Sequence, residues 1–277
     1  MIVIEKSFQE WQPDTKKQIA KSTDNAIDDD CVIIDKENQQ IVALQIKLSD
    51  KSADILKNVS RILRYDLKWK SEGNRINRLS GISSFNKVFG TLQPSKLRQR
   101  FGCKSAALNR DEPYLISQLY EIAVESFDKL KQHEPHRAND HNNLVKNKIH
   151  KDWLLGETPF SSGIINYSAA LPYHRDSGNI KGSWSAMVCS RKNMAGGNLH
   201  LPEYDVSLGV PNNSLIWFNG QTLWHGVTPM RAIQKNAYRF TIVYYAKNGV
   251  CDCSSLLDEP VRAAKNAMHS VSPLTKK

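Results

Sequence analysis

Two apolar, β-branched runs flank the polar tetrad Asp35-Lys36-Glu37-Asn38 in residues 31–48, CVIIDKENQQIVALQIKL, and predict a β-hairpin. From Ala53 to Lys70 the period changes. Leu56, Val59, Leu63 and Leu67 make an apolar stripe at helical spacing, and Lys57, Arg61, Arg64 and Lys68 make the neighbouring stripe, so this segment predicts a helix with a basic face. Residues 71–110 are rich in Gly, Ser, Asn and Arg with Phe85, Phe89 and Phe101 interleaved, which predicts loop more than regular structure. Asp111-Glu112-Pro113 supplies a helix start for about twenty residues, ending near His133, and 134–150 reads as a polar linker. Beyond Gly156 short apolar runs recur at 162–169, 183–189, 198–204, 214–219, 223–228 and 239–246, separated by turn residues. That rhythm predicts a β-sandwich or barrel, with no helix-length pattern between the runs to build a parallel sheet. The division that follows is a β-hairpin segment over 1–50, a basic helical and loop region over 51–155, a β core over 156–250 and a docked or frayed tail over 251–277.

With 277 residues, 40% of them hydrophobic, the chain can bury a substantial core. No run of eighteen apolar residues occurs, and Met1–Glu5 lacks the features of a signal peptide, so a soluble, intracellular monomer without membrane association is expected, in the cytoplasm of a bacterial or virus-infected cell or in a eukaryotic nucleus. The cysteines Cys31, Cys103, Cys189, Cys251 and Cys253 are odd in number and scattered, which predicts reduced thiols. Charge adds a sharper feature. Residues 51–110 hold 14 Lys and Arg against 3 Asp and Glu, a net of +11, so the net charge of +10 resides in that one segment. Such a field attracts polyanions, nucleic acid above all.

The candidate chemistry lies in the β half. In a strand, residues two apart face the same way, so His174 and Asp176 of PYHRDSGN can both point into a barrel while Arg175 points out. His225 in LWHGV closes a later strand and supplies a second imidazole. Two histidines and a carboxylate on one face of an octahedral ion form the facial triad, which leaves open positions for a co-substrate and dioxygen and suits non-haem Fe(II). His150, Asp152 and His200 have similar spacing, but position 214, where an arginine would match, is a serine, and the pair lies in the polar linker. After His225 comes Arg239, on a strand where alternation sets Arg239, Thr241, Val243 and Tyr245 on one face. A guanidinium fork with a hydroxyl beside it matches a carboxylate.

These residues resemble the TET/JBP family of 2-oxoglutarate dioxygenases over roughly residues 85–247. The likeness rests on His174-Arg175-Asp176-x-x-Asn179, Gly196-Gly197-Asn198-Leu199, His225 and Arg239-x-Thr241-x-x-x-Tyr245. It implies an α+β fold with a double-stranded β-helix (jelly-roll) core, Fe(II) and 2-oxoglutarate as cofactors, and hydroxylation of the 5-methyl group of a pyrimidine in DNA, 5-methylcytosine before thymine. It also implies that Thr241 helps Arg239 hold 2-oxoglutarate and that Asn179 and Tyr245 contact a flipped or single-stranded base. The segment FGTLQPSKLRQRFGCKSAAL resembles the family's stretch ahead of the barrel and makes Arg98 and Arg100 candidates for phosphate or co-substrate contact. Lys57, Arg61 and Arg64 are candidates for DNA contact through the basic helix face. The chain has no cysteine-rich zinc region, and Lys247 stands where animal TET enzymes carry a histidine, so it is more similar to compact viral, bacterial and fungal members. An AlkB-type demethylase would resemble Arg-x5-Arg, and here Tyr245 takes the second place. A prolyl hydroxylase or small-molecule oxygenase leaves the +11 segment without a role, and a DNA-binding barrel with a vestigial metal site requires the triad and Arg239 to coincide by chance.

Overall fold

The expected hairpin forms and becomes part of a larger sheet. Strand β1 (Ile2–Lys6) lies parallel to β2 (Cys31–Asp35), which pairs antiparallel with β3 (Ile41–Lys47). Asp35 Oδ1 caps the turn between them by accepting from the Glu37 and Asn38 amides at 2.9 and 3.2 Å. The computed structural model describes residues 1–21, 25–65, 75–76 and 83–270.

Helix α1 (Asp50–Tyr65) follows the expected pattern, burying Leu56, Val59 and Leu63. Ser49 Oγ accepts from the Ser52 amide at 3.3 Å, which satisfies a free N–H at the helix start. Glu125 in turn accepts from the Ser49 amide at 2.7 Å and its hydroxyl at 2.6 Å. Lys68, and the helix end expected at Lys70, lie outside the described residues.

After β4 (Arg75–Ile76) comes β5 (Ser83–Leu92), ten residues of SSFNKVFGTL inside the stretch expected to be loop. Its Ser and Asn are turn formers by composition, but Phe85 and Phe89, four apart and on one strand face, are buried, and tertiary pairing with a central strand outweighs the local preference. Beyond β6 (Lys104–Ser105) and α2 (Ala107–Asp111), α3 (Pro113–His133) matches the expected helix at both ends, with Pro113 at its first position. The expected linker contains α4 (Pro135–Lys146), whose buried stripe Ala138, His141 and Val145 is too sparse and polar to read as amphipathic. Burial pushes His141 down to about 3, and the neutral ring accepts the Trp184 amide at 3.2 Å.

The β half contains β7 (Ser162–Tyr167), β8 (Leu171–His174), β9 (Ser185–Lys192), β10 (Met194–Gly196), β11 (Leu199–Leu201), β12 (Val206–Leu208), β13 (Ser214–Phe218), β14 (His225–Val227), β15 (Met230–Ala232) and β16 (Tyr238–Tyr245). Among the described residues the major sheet has the order β1-β2-β3-β13-β9-β16-β7-β5-β4, with β6 paired to β5; the minor sheet is β12-β11-β14-β8, and β10 pairs with β15. The two sheets face each other as a double-stranded β-helix, the α+β jelly-roll architecture expected.

Alternation along the central strands separates two cores. Ala186, Val188, Leu215, Trp217, Phe240, Ile242 and Tyr244 face α1 and α3, while Met187, Cys189, Ile216 and Phe218 face the minor sheet's Leu199, Leu201 and Leu208. Burial on both faces explains why these strands read as continuous apolar runs. The large polar-tipped side chains in the helix-facing core are satisfied by α3: Trp217 Nε1 donates to the Ser126 carbonyl at 3.0 Å and the Tyr244 hydroxyl to the Leu119 carbonyl at 2.9 Å. Each fully buried Val, Leu, Ile or Phe side chain in these cores contributes about 1.5–3 kcal/mol.

The end of the chain docks, and one expectation about the cysteines changes. The segment expected as a tail contains α5 (Glu259–Ser270), docked through buried Glu259, whose carboxylate accepts from the Cys103 amide at 2.5 Å and the Ser254 amide at 2.8 Å. Residues 271–277 lie outside the described residues. Cys103 and Cys253 form a disulfide with their Cα atoms 6.0 Å apart, so two of the five thiols are not reduced. Their separation of 150 residues kept this pairing out of reach of spacing arguments, since only folding brings the Cα atoms within bridging distance.

Candidate metal centre

His174 is the last residue of β8 and His225 the first of β14, and the antiparallel register sets them directly opposite, with ring centroids 4.3 Å apart. His225 therefore opens its strand where the sequence suggested that it closes one. Asp176 lies beyond the end of β8, so strand alternation does not orient it. Its amide donates to the Gly220 carbonyl at 2.8 Å and its carbonyl accepts from the Asn179 amide at 2.9 Å, and this turn brings the carboxylate back toward the imidazoles. His174 Nε2 is 3.6 Å from Asp176 Oδ1, and His225 Nε2 is 3.9 Å from Asp176 Oδ2. One ligand atom from each of the three lies within 4.8 Å of the others.

The histidine tautomers follow from their partners. His174 Nδ1 sits 2.9 Å from the Pro172 carbonyl and His225 Nδ1 3.0 Å from the Leu223 carbonyl. A carbonyl only accepts, so each Nδ1 carries the proton and each Nε2 offers its lone pair to the centre. Burial, and after it the neighbouring His174, push His225 down to about 4, which keeps that ring neutral and ready to ligate at neutral pH. Gly220 gives the centre its room: a Cβ there would stand 2.8 Å from Asp176 Oδ2 and 3.3 Å from His225 Cε1. The set could hold one divalent ion on a face of three ligands. The alternative set does not assemble. His150 caps a turn beside Asp152, whereas His200 is buried against Tyr173, its Nδ1 2.7 Å from the tyrosine hydroxyl.

The triad opens into a pocket of about 400 Å³ between the sheets, lined on β16 by Thr241, Val243 and Tyr245 and also by Asn179 and Lys247. Burial, and after it Asp176, raise the Tyr245 phenol, which stays protonated. Asn86 of β5 and Asn166 of β7 also line the pocket, side by side in the sheet register. Sequence reading missed both, although an amide placed amid apolar strand residues, as in GIINY, is the signal that was available. Arg239 is 1% exposed, and its Nε and Nη2 have no hydrogen-bond partner. Alternation directs it into the space between the sheets, where its Cδ and Nε would lie 2.9 Å from a Cβ at Gly197. Burial pushes it down to about 10, so it remains a cation at neutral pH. A buried, unpaired guanidinium costs several kcal/mol, a penalty that an anion with a planar fork of acceptors relieves.

The basic candidates divide. Arg98 is exposed, on a loop between β5 and β6, while Arg100 holds that loop closed, its Nε donating to the Gln93 carbonyl at 2.6 Å. Gln93 packs against the turn after β16, its Oε1 2.5 Å from where a Cβ on Gly249 would stand. Lys57, Arg61 and Arg64 do not reach the pocket. They ride on α1, which packs on the other face of the major sheet, and the Arg64 guanidinium sits 4.3 Å over Tyr238, at the end of β16 opposite Tyr245. A shallower groove of about 910 Å³, lined by Arg191, Asn193 and Met230, lies away from the triad.

A protein-family model, Tet_JBP, described as the oxygenase domain of the 2OGFeDO superfamily, matches residues 94–248. No curated protein matches the sequence. Among solved structures, NgTET1 in complex with 5mC DNA is 15% identical with a TM-score of 0.61, over 88% of this chain and 85% of that one, a likeness of fold. OsALKBH1 is 11% identical with a TM-score of 0.40, over 73% and 97% of the two chains. The viral collagen prolyl hydroxylase vCPH from Paramecium Bursaria Chlorella virus-1, in its 2OG complex, is 13% identical with a TM-score of 0.38, over 73% and 94%.

Proposed function

Since the chain belongs to the Tet/JBP family of 2-oxoglutarate- and Fe(II)-dependent oxygenases, we propose that it hydroxylates the 5-methyl group of a pyrimidine in DNA, with 5-methylcytosine as the substrate. Fe(II) and 2-oxoglutarate are its cofactors. The residues present fit both. In this reading His174, Asp176 and His225 hold the iron, and Arg239, with Thr241 beside it, grips the far carboxylate of 2-oxoglutarate. When bound, the cofactors supply the oxidising chemistry, in which 2-oxoglutarate and dioxygen become succinate and carbon dioxide and one oxygen atom enters the methyl C–H bond. The single observation that carries the reading is Arg239, buried in the same barrel as the triad with two nitrogens unpaired.

A methyl group inside a duplex cannot reach a triad recessed between two sheets, so the nucleotide enters the pocket flipped or single-stranded. In the pocket lining Asn179 and Lys247 supply N–H donors and Tyr245 a ring face. The Asn179 amide offers both a donor and an acceptor to a pyrimidine edge, and the Lys247 ammonium only donors. The likeness to NgTET1, which binds 5mC DNA, is what favours 5-methylcytosine over thymine. Incubation of methylated and unmethylated DNA with the enzyme, digestion and nucleoside mass spectrometry test the proposal. The expected product is 5-hydroxymethyl-2′-deoxycytidine with stoichiometric succinate. 5-Hydroxymethyl-2′-deoxyuridine from unmethylated DNA would move the substrate to thymine, and conversion of 5-methyl-2′-deoxycytidine to deoxycytidine would make the enzyme a demethylase.

Two further outcomes follow from placement. Gly197 has φ +72°, and its Cβ would press on Arg239, so Gly197→Ala should lose about 1 kcal/mol or more of stability and raise the 2-oxoglutarate KM, read by thermal melting and by titration of the co-substrate. DNA binding should map to the exposed basic loop between β5 and β6. Lys96→Ala with Arg98→Ala is expected to lower the slope of log affinity against log salt by about 0.9 for each duplex phosphate that is no longer neutralised, while Lys57→Ala with Arg61→Ala leaves it unchanged. Fluorescence anisotropy over a salt series measures both.

A further inference from the structure

The geometry points to Glu203 as a positioning residue for the metal centre, tying together the two chain segments that carry the ligands; this rests on the reading of His174, Asp176 and His225 as ligands. Glu203 is 2% exposed and sits in the turn between β11 and β12, near none of the ligand atoms itself. Both of its carboxylate oxygens are committed. Oε1 accepts from Arg175 Nη2 at 2.6 Å, and Oε2 accepts from the Trp224 amide at 2.8 Å. Arg175 stands between His174 and Asp176, and Trp224 immediately precedes His225, so one buried side chain bridges both ligand-bearing segments.

The Trp224 amide belongs to the same peptide group as the Leu223 carbonyl, and that carbonyl accepts the Nδ1 proton of His225. Glu203 therefore fixes the plane of the peptide that orients the ligand. The chain of contacts runs from carboxylate through peptide to imidazole, and hydrogen bonds in such a chain polarise one another. The ladder between β8 and β14 does not perform this task alone, because its register shifts between His225 and Val227. A second contact closes the clamp: the Arg175 guanidinium lies 4.9 Å over the Trp224 ring. Water is kept off by the N-terminal segment, where Trp11 packs edge-on against Tyr173 at 4.6 Å and Trp224 at 6.2 Å, and the Gln9 amide donates to the Glu203 carbonyl at 2.8 Å.

The test is Co(II) binding to the metal-free 277-residue chain, followed by visible absorption well below the melting temperature of each variant. Glu203→Gln keeps the shape but turns an NH2 toward one of the two donors. Its Co(II) dissociation constant is expected to rise about 10- to 100-fold, the range for loss of a group that orients a ligand, and its absorption bands should shift as His225 reorients. A folded Glu203→Gln protein binding Co(II) within threefold of wild type, with unchanged bands, overturns the positioning role, and a purely structural role predicts that same result with only a lowered melting temperature. Should Glu203→Gln not fold, Arg175→Met decides by the same threefold criterion, since its partly exposed side chain can be removed with less cost to the fold. His225→Ala is the control for the underlying reading: if it binds Co(II) like wild type, the assignment of the ligands fails, independently of Glu203.

Discussion

Replacing Arg239 by methionine is expected to raise the 2-oxoglutarate KM by about a hundredfold or more while leaving kcat at saturating co-substrate within a few-fold. Truncating one partner of a buried, hydrogen-bonded charge pair costs roughly 2–5 kcal/mol, and each 1.4 kcal/mol is a factor of ten. The effect falls on KM because the far carboxylate is held equally before and during reaction, so the lost binding is uniform. The variant should behave oppositely in stability. Without an anion, the Arg239 Nε and Nη2 are buried and unpaired, and methionine of similar length removes that penalty. The ligand-free variant should therefore melt at or above the wild-type temperature. Added 2-oxoglutarate should raise the melting temperature of the wild type and not of the variant. The sign with pH is also set. Burial lowers this cation from 12.5 to about 10, so the charge that binds the carboxylate is complete at neutral pH and is lost as pH rises through 10. Co-substrate affinity should be flat from about pH 7 to 9 and fall above that. Isothermal titration of the metal-loaded protein at several pH values reads all of this, and an unchanged 2-oxoglutarate affinity in the methionine variant would detach Arg239 from the site.

The parts of this molecule legible in the sequence are those whose signal is local. The β7, β9, β13 and β16 runs are buried on both faces, so composition alone marks them, and Pro113 with a periodic apolar stripe marks α3. Arg239, Thr241 and Tyr245 share a face as strand alternation predicts, with Thr241 and Tyr245 at the pocket. Where pairing partners are far apart in sequence the signal fails. Strand β5 looks like loop because Phe85 and Phe89 gain their meaning only against β7 and the helices. Helix α4 buries a histidine where an apolar residue would have betrayed it. The charge pattern located a basic helix and said nothing of which side of the sheet that helix covers; Lys57, Arg61 and Arg64 lie on the face away from the pocket. Asp176 illustrates the subtler case, in which the residue was identified through strand alternation although a turn held by Gly220 brings it into place. Glu203 left no local trace, since its two partners are 28 and 21 residues away.

His225→Ala should have the largest effect on the enzyme. Turnover is expected to fall to background, a loss of at least about a thousandfold on a scale where each 1.36 kcal/mol of barrier is tenfold, because the two remaining groups cannot hold three positions of an octahedral ion. The fold should survive. His225 is 4% exposed and packs against Phe218 at 5.1 Å and His174 at 4.3 Å, so its truncation leaves a void costing about 2–4 kcal/mol, within the reserve of a domain of this size. Because the void borders an open pocket, free imidazole can enter it. Adding imidazole to the alanine variant should therefore restore part of the Co(II) absorption, with its Nε2 in the vacated direction and its other nitrogen on the Leu223 carbonyl. Asp176→Asn offers a contrast: it keeps the shape, loses the charge and leaves no void, so imidazole should not rescue it. Rescue of the first and not the second would separate loss of a ligand from general damage. Wild-type levels of succinate from the unrescued alanine variant would remove His225 from the metal and with it the mechanism proposed for this barrel.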